Sequence, residues 1–365
     1  MNLALTEMRR SKLKFGLLCG AVALLVFLVL FLTTLSTALV SSITGALSGV
    51  RGEVLVYSES ARDNLQGSRL EPTVVDKVAK VDGVAEAGSI SLTTTSAELK
   101  DGSSDLQLFG MTAEAPGAPT GLVSGRLPET RDEIAMDGGG YSIGDVVTLS
   151  DTEQDLEVVG LLKGAQFNAS PTGYVDAATF ENVVRAANPN VPFVPINGVA
   201  VTVAPGAEPS AVAAAVADEV SGTTGYTKED AVSKIPGVGS ISQTFGILVG
   251  LTFIIGIVVI GFFFLILTVQ KMRAFTLLRA IGSSTAQLSG VVAVQITAVV
   301  VIAGLIAVLL TYGAVTGLST GIPVALSPVL VGGTLLAVLA FSLIAGLLSI
   351  RRIARIDPAT AAGAR

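Results

Sequence analysis

The side chains that most often do chemistry are scarce in this chain. It has no histidine and no tryptophan, and its one cysteine, Cys19, stands inside a long apolar run. Imidazole acid–base catalysis, a Ser-His-Asp triad and thiolate or imidazole zinc sites are thereby excluded. A lone cysteine has no partner for an internal disulfide. No G-x-x-x-x-G-K-S/T string occurs, so a phosphate-binding loop for ATP hydrolysis is excluded too. The run DGGGY at Asp137–Tyr141 has no lysine after it and reads as a turn between strands, while the adjacent Asp132 and Glu133 read as solvated surface. What remains is three cationic segments, which read either as determinants of membrane topology or as docking sites for a partner. The first, MNLALTEMRRSKLK, sets Met1, Ala4, Leu5 and Met8 on one helical face beside Arg9, Arg10, Lys12 and Lys14, as in an interfacial helix. The loop QKMRAFTLLRAIGSSTAQL spaces Met272, Phe275 and Leu278 by three, with Gly282 able to end a turn. In the tail RRIARIDPATAAGA, Asp357-Pro358 marks a turn and a new helical start.

The elements that position these segments follow from where charge is missing. Of 365 residues, 50% are hydrophobic and 14% charged, against about 25% charged in ordinary globular domains. The excess is concentrated in three charge-free blocks, residues 15–50, 235–270 and 280–350. A helix needs about 20 apolar residues to cross a bilayer. The first two blocks hold one span each; the third is interrupted by GAVTGLSTGIPVALSP, with Pro323 and Pro328, and holds two. The expected spans are Phe15–Leu39, Phe245–Thr268, Leu288–Leu310 and Val329–Leu348. The apolar run after the first cations exceeds the 7–15 residues of a secretory signal and reads as an uncleaved anchor. Leu18 before Cys19 is too large for a lipoprotein cleavage site.

Orientation follows from the cations. The amino-terminal segment, the loop after the second span and the tail together hold eleven Lys and Arg against Glu7 and Asp357. By the positive-inside rule all three are expected to be cytoplasmic, which places both termini inside and residues 51–234 outside. That outer region holds twelve cations and 27 acids, a net charge of −15, so the overall −6 describes no actual part of the molecule. It reads as α+β. Strand patterns occur in GEVLVYSES, AEAGSISLTTTSAEL, SDLQLFGMTA, GDVVTLS, DLEVVGLLKG and GVAVTVAP, and helical ones in PTVVDKVAKV, DAATFENVVRAANP and PSAVAAAVADEV. The expectation is one βαβ-type unit, residues 52–98 and 196–233, with a smaller β-rich unit inserted at about 99–195. The expected fold is thus a four-span α-helical membrane protein with an α+β extracytoplasmic domain between its first and second spans. Its expected segments are 1–14 (amphipathic helix), 15–50 (first span), 51–234 (outer domain), 235–270 (second span), 271–287 (cytoplasmic loop), 288–350 (third and fourth spans) and 351–365 (tail).

This order of one span, an outer domain of roughly 200 residues and three more spans resembles the FtsX-like, MacB-type permeases of ABC transporters. The strings MNLALTEMRRSKLKF, TVQKMRAFTLLRAIGSSTAQL and RIDPATAAGA carry the likeness. Within the family they look most like the hemin-exporter permeases typified by HrtB and the related DevC-type exporters. The resemblance implies a non-enzymatic permease: two copies pair with two ATPase subunits that bind the ATP, and the lipid bilayer is the third partner. It implies mechanotransmission, with the loop after the second span coupling to the ATPase through Arg273, Phe275, Leu278, Arg279 and Gly282. Gly246 and Gly250 form a GxxxG that suits close helix contact in a homodimer.

Heme would then be transported substrate rather than cofactor. With no histidine, its iron would meet Tyr, Met, Glu or no protein ligand. A flat amphipathic molecule entering sideways near the outer surface points to Arg51 for propionates, Glu53 and Tyr57 as oxygen donors, and Gln243 and Phe245 where the second span begins. Met111 and Met136 read as core. No resident metal and no nucleic-acid partner are expected. Two other readings stay open: a sibling exporter of a lipid, glycolipid or antimicrobial, and an FtsX-like relay that regulates cell-wall hydrolases.

Overall fold

The structure is a computed structural model that describes residues 12–99, 102–138, 140–270, 285–317 and 327–354. It divides into two compact units, a mixed one spanning Ala38–Ser242 and a helical one that takes the described residues before and after it.

Helix α1 (Lys12–Ser48) supplies its last turns to the mixed unit. There follow β1 (Val54–Ser58), α2 (Val74–Val78), β2 (Val84–Leu99), β3 (Gly102–Met111), β4 (Leu122–Gly125), β5 (Glu133–Asp137), β6 (Val146–Leu149), β7 (Gln154–Leu162) and β8 (Thr172–Asp176). The unit ends with α3 (Ala177–Ala187), β9 (Gly198–Val203), α4 (Pro209–Glu219), β10 (Thr223–Thr227) and α5 (Lys228–Ser233). Strands run in the order β10-β1-β9-β2-β3-β8-β5-β7-β4, with β6 paired to both β2 and β7.

The first four, β10-β1-β9-β2, are antiparallel neighbours. With α2 between β1 and β2 and α4 between β9 and β10, they make a split βαβ, ferredoxin-like arrangement. The 16-residue β2 belongs to two ladders: Val84–Ile90 pairs with β9, and Ser91–Leu99 pairs with β3. Beyond that handover the ladder β2-β3-β8-β5-β7-β6 returns to β2 and closes a ring of six strands. Closure satisfies the backbone groups that open edges would leave unpaired.

Side-chain alternation explains which faces are filled. In β1, Val54 and Val56 join Val78, Val199 and Val216 in a core under the two crossover helices, while Leu55 and Tyr57 face a second core with Leu47, Leu65 and Phe109. A central strand buried on both faces reads as a continuous apolar run rather than strict alternation. In β3, Leu106 and Leu108 enter the ring interior, and Phe109 and Met111 face the other way. Gly110 sits where a Cβ would lie 2.5 Å from Phe180 Cγ, so its lack of a side chain lets α3 pack on the ring. Strands β4, β5, β8 and β10 and helix α5 carry no clear signal in the sequence. Glycine and aspartate dilute β8, glycine and threonine dilute β10, and all of β4 is exposed.

The helical unit contains the earlier part of α1 with α6 (Val238–Gln270), α7 (Thr285–Gly317) and α8 (Pro328–Ala354). Phe15, Leu18, Val22, Val26 and Leu30 form a buried stripe on α1, and Val292, Ile296, Val299, Ala303 and Ala307 form another on α7. Their three- and four-residue spacing turns one face of each helix inward. The opposite faces leave large apolar groups exposed, among them Leu24, Ile254, Phe262, Leu305 and Leu309, as suits a surface solvated by lipid. Hydroxyls buried here bond back along their own helices: Thr252 and Thr311 each donate at 2.8 Å to Leu248 and Ala307 carbonyls, and Ser342 donates to Val338 at 2.6 Å. Among the described residues, Lys12–Ser48, Val238–Phe263 and Gly290–Gly317 are helices long and apolar enough to cross a membrane; the apolar stretch Pro328–Ile344 is shorter.

Candidate functional site

The polypeptide between α1 and β1 places the first of the expected substrate contacts. Arg51 is exposed, and its guanidinium donates at 2.5 Å to the Glu114 carbonyl. Glu53 is also exposed, and its carboxylate accepts the Val203 N–H at 3.0 Å. Both keep further hydrogen-bonding capacity toward solvent. Tyr57 is different: it is 1% exposed, and its hydroxyl has no hydrogen-bond partner among the described residues. Gln243, exposed, and Phe245, half-buried, belong to the helical unit. Gly246 and Gly250 are exposed on α6, and a Cβ added at either meets nothing within 4 Å. Arg273, Phe275, Leu278, Arg279 and Gly282 lie outside the described residues.

Tyr57 lines a cavity of about 180 Å³ in the mixed unit. Its walls come from the end of α1 (Leu47), the turns after β1 (Asp63, Asn64, Gln66), the segment before β8 (Phe167, Asn168), α5 and the residues that follow it. Each wall is fixed by its own hydrogen bonds. Asn197 accepts the Leu92 N–H at 2.7 Å and donates to the Leu65 and Ser68 carbonyls at 3.3 and 3.2 Å. Ser68 Oγ accepts the Ser58 N–H at 2.8 Å. On the other side the Asn168 and Ala169 N–H groups donate to the Ile43 and Ser42 carbonyls of α1, and the Ala46 N–H donates to the Gln166 carbonyl. The close approach requires glycine at position 45, where a Cβ would stand 2.6 Å from the Gly164 oxygen.

Electrostatics in the cavity centre on Asp63. Lys234 Nζ donates to it at 2.8 Å and the Tyr226 hydroxyl donates to it as well, while the ammonium lies 4.6 Å from the Tyr226 ring centroid. Lys234, then Tyr226, hold the Asp63 carboxyl below its ordinary value. Burial and the Asp63 charge push Tyr226 up to about 12. Burial foremost, and Tyr226 nearby, raise Tyr57, so its phenol stays protonated. The sequence gives no sign of this cluster, because Asp63 and Lys234 are 171 residues apart and meet only when β1 and β10 pair. In the glycine-rich run, Gly139 lies outside the described residues, and Asp137 is the last residue of β5. Asp137 is buried and accepts the Ala165 N–H, and burial raises its carboxyl.

Comparison with known proteins adds a family likeness. Residues 246–358, which include most of α6 and all of α7 and α8, match the family described as FtsX-like permease C-terminal. A Staphylococcus haemolyticus protein named as a hemin transport system permease, HrtB, is 21% identical over 371 aligned residues, covering 100% of this chain and 99% of that protein. An ABC transporter permease of Mycobacterium tuberculosis, itself uncharacterized, is 24% identical over 322 residues, with 85% and 84% covered. Among solved structures, the periplasmic region of MacB from Actinobacillus actinomycetemcomitans superposes with a TM-score of 0.39 at 9% identity, covering 50% of this chain and 92% of that one. The extracellular domain of YknZ from Gram-positive bacteria gives 0.35 at 14% identity, covering 48% and 99%.

Proposed function

From the match of residues 246–358 to the FtsX-like permease C-terminal domain family, we propose that this chain is the membrane subunit of an ABC-type exporter of hemin. The observation that carries the reading is the pairing of that domain with end-to-end similarity to a hemin transport permease. In this reading the protein crosses the cell membrane four times, the fourth span being α8, with both termini cytoplasmic and residues 51–234 outside. Two copies pair through α6, where Gly246 and Gly250 permit close approach. ATP is bound and hydrolysed by two partner subunits, which dock on the loop after α6 through Arg273, Phe275, Leu278, Arg279 and Gly282. Their closure moves the helices and outer domains and expels hemin from the outer leaflet without a central channel. Arg51, Glu53, Gln243 and Phe245 offer it polar and aromatic contacts.

The test is a deletion strain challenged separately with hemin, antibiotics and membrane-active peptides, and complemented with the wild-type gene or with Arg273→Glu/Arg279→Glu. Hemin sensitivity restored only by the wild type is the expected result. Sensitivity confined to antibiotics or peptides would move the substrate to another amphiphile. A pull-down in which residues 51–234 retain a cell-wall hydrolase, with no change in sensitivity to any compound, would replace export by a relay function.

A further inference from the structure

We propose that Asp137 is the pin of a clip by which the ring of strands grips α1, so that a displacement of α1 carries the ring with it as one body. The inference concerns the mixed unit alone and stands whatever the membrane helices export. Residues 164–169 cross from the ring to the last turns of α1. There the Asn168 and Ala169 N–H groups donate to the Ile43 and Ser42 carbonyls at 3.2 and 2.9 Å, and the Ala46 N–H donates to the Gln166 carbonyl at 2.9 Å. Phe167 is 2% exposed and joins Ala46 and Leu47 in one core. These contacts reach the helix itself, whereas Thr120 and Ala118 bond to Gly49 and Arg51 beyond its end.

The ring holds the other side of the clip from two strands. From β8, the Tyr174 hydroxyl donates to the Ala165 carbonyl at 2.8 Å, and Thr172 Oγ1 accepts the Phe167 N–H at 2.9 Å. From the end of β5, the Asp137 carboxylate accepts the Ala165 N–H, supported by the N–H groups of Gly164 and Gly138. Both glycines have left-handed backbone, with φ 77° and 90°, a conformation in which neighbouring N–H groups converge into an anion-binding nest. Asp137 is 5% exposed, and a buried carboxylate is tolerated when such donors satisfy it. The dependence is mutual. Ala165 is itself buried, so its N–H is left without an acceptor when the carboxylate is removed.

The test uses full-length protein in nanodiscs, with Cys19→Ala and spin labels at Ser48→Cys on α1 and Val146→Cys on β6, two exposed positions. Double electron–electron resonance reads the spread of the distance between the labels, and hydrogen exchange reads the Ala46, Ala165, Asn168 and Ala169 amides. We expect Asp137→Ala to widen the spread and to speed those amides roughly tenfold, as the loss of a buried acceptor implies, while β3 and β8 keep their protection. Asp137→Asn retains a carbonyl acceptor and should leave both readouts near wild type. Gly45→Ala loosens the joint from the opposite side, because its methyl group would stand 2.6 Å from the Gly164 oxygen, and should widen the spread by itself. Since both substitutions open one joint, the double variant should be no wider than the broader single one. An unchanged spread in both single variants, a spread in Asp137→Asn as wide as in Asp137→Ala, or additive widening in the double variant would each overturn the proposal.

Discussion

Arg126 and Glu133 form a bidentate ion pair in the mixed unit. Both terminal guanidinium nitrogens donate to the carboxylate, and the Glu129 and Thr130 N–H groups add bonds at 3.1 and 3.2 Å. The Arg126 bond foremost lowers Glu133 to about 2 from its usual 4.5. Because the folded value is depressed, the stabilisation is complete above the ordinary carboxylate range and is lost as pH falls through about 2. Arg126→Ala should therefore lower stability at neutral pH and change it little near pH 2, so that the variant's stability depends less steeply on pH, as read by denaturant titrations followed by circular dichroism at pH 7 and near pH 2. The sequence shows Glu133 only as one of two adjacent acids, because its partner is seven residues upstream across a turn. Asp132 likewise proves engaged: its backbone takes φ 67° and its carboxylate accepts the Gln154 amide at 2.6 Å. Composition does foretell the fate of Met111 and Met136, both buried, since an apolar side chain without a ligand set defaults to core.

Elements were legible where one periodicity dominated. The apolar stripes of the membrane helices and the amphipathic α3 stand out because one face meets protein and the other meets a different medium. Strands β5 and β8 do not. They are enclosed in the ring, and their short, glycine- or aspartate-containing sequences derive stability from neighbours rather than from intrinsic propensity. Gly173, for instance, lies where a Cβ would be 2.6 Å from Ile134 Cδ1 of the adjacent strand. The contact between α3 and β3 tests this dependence directly. Gly110→Ala forces a methyl group into the Phe180 ring and should cost about 1–3 kcal/mol in a denaturant titration. Phe180→Leu on the same background should recover little of the loss, because leucine keeps the Cγ and Cβ atoms that lie 2.5 and 2.6 Å from the new methyl.

At the scale of the whole molecule, partitioning charge along the chain separates an acidic segment of −15 from cation-rich edges and nearly uncharged helices. It is silent on the closed ring of strands and on the cavity, because both arise from pairings between residues far apart in sequence. Assembly is open to experiment through α6. On the proposed reading of a dimeric exporter paired through α6, replacing Gly246 and Gly250 together by leucine should reduce cross-linked dimer and export in parallel, since branched side chains there would hold two helices apart; unchanged yields would overturn that pairing. One feature of the fold also governs its synthesis. Val56 of β1 pairs with Val199, more than 140 residues later, and β10 follows later still. At roughly 5–20 residues per second a ribosome delivers that partner about 7–30 s after β1 itself. Throughout that interval a strand destined for burial on both faces stands unpaired, while the intervening ring can already close on its own local contacts. The nascent chain thus carries a timed vulnerability at β1, and holding that strand soluble until β9 emerges is a task for the export and chaperone machinery that meets it.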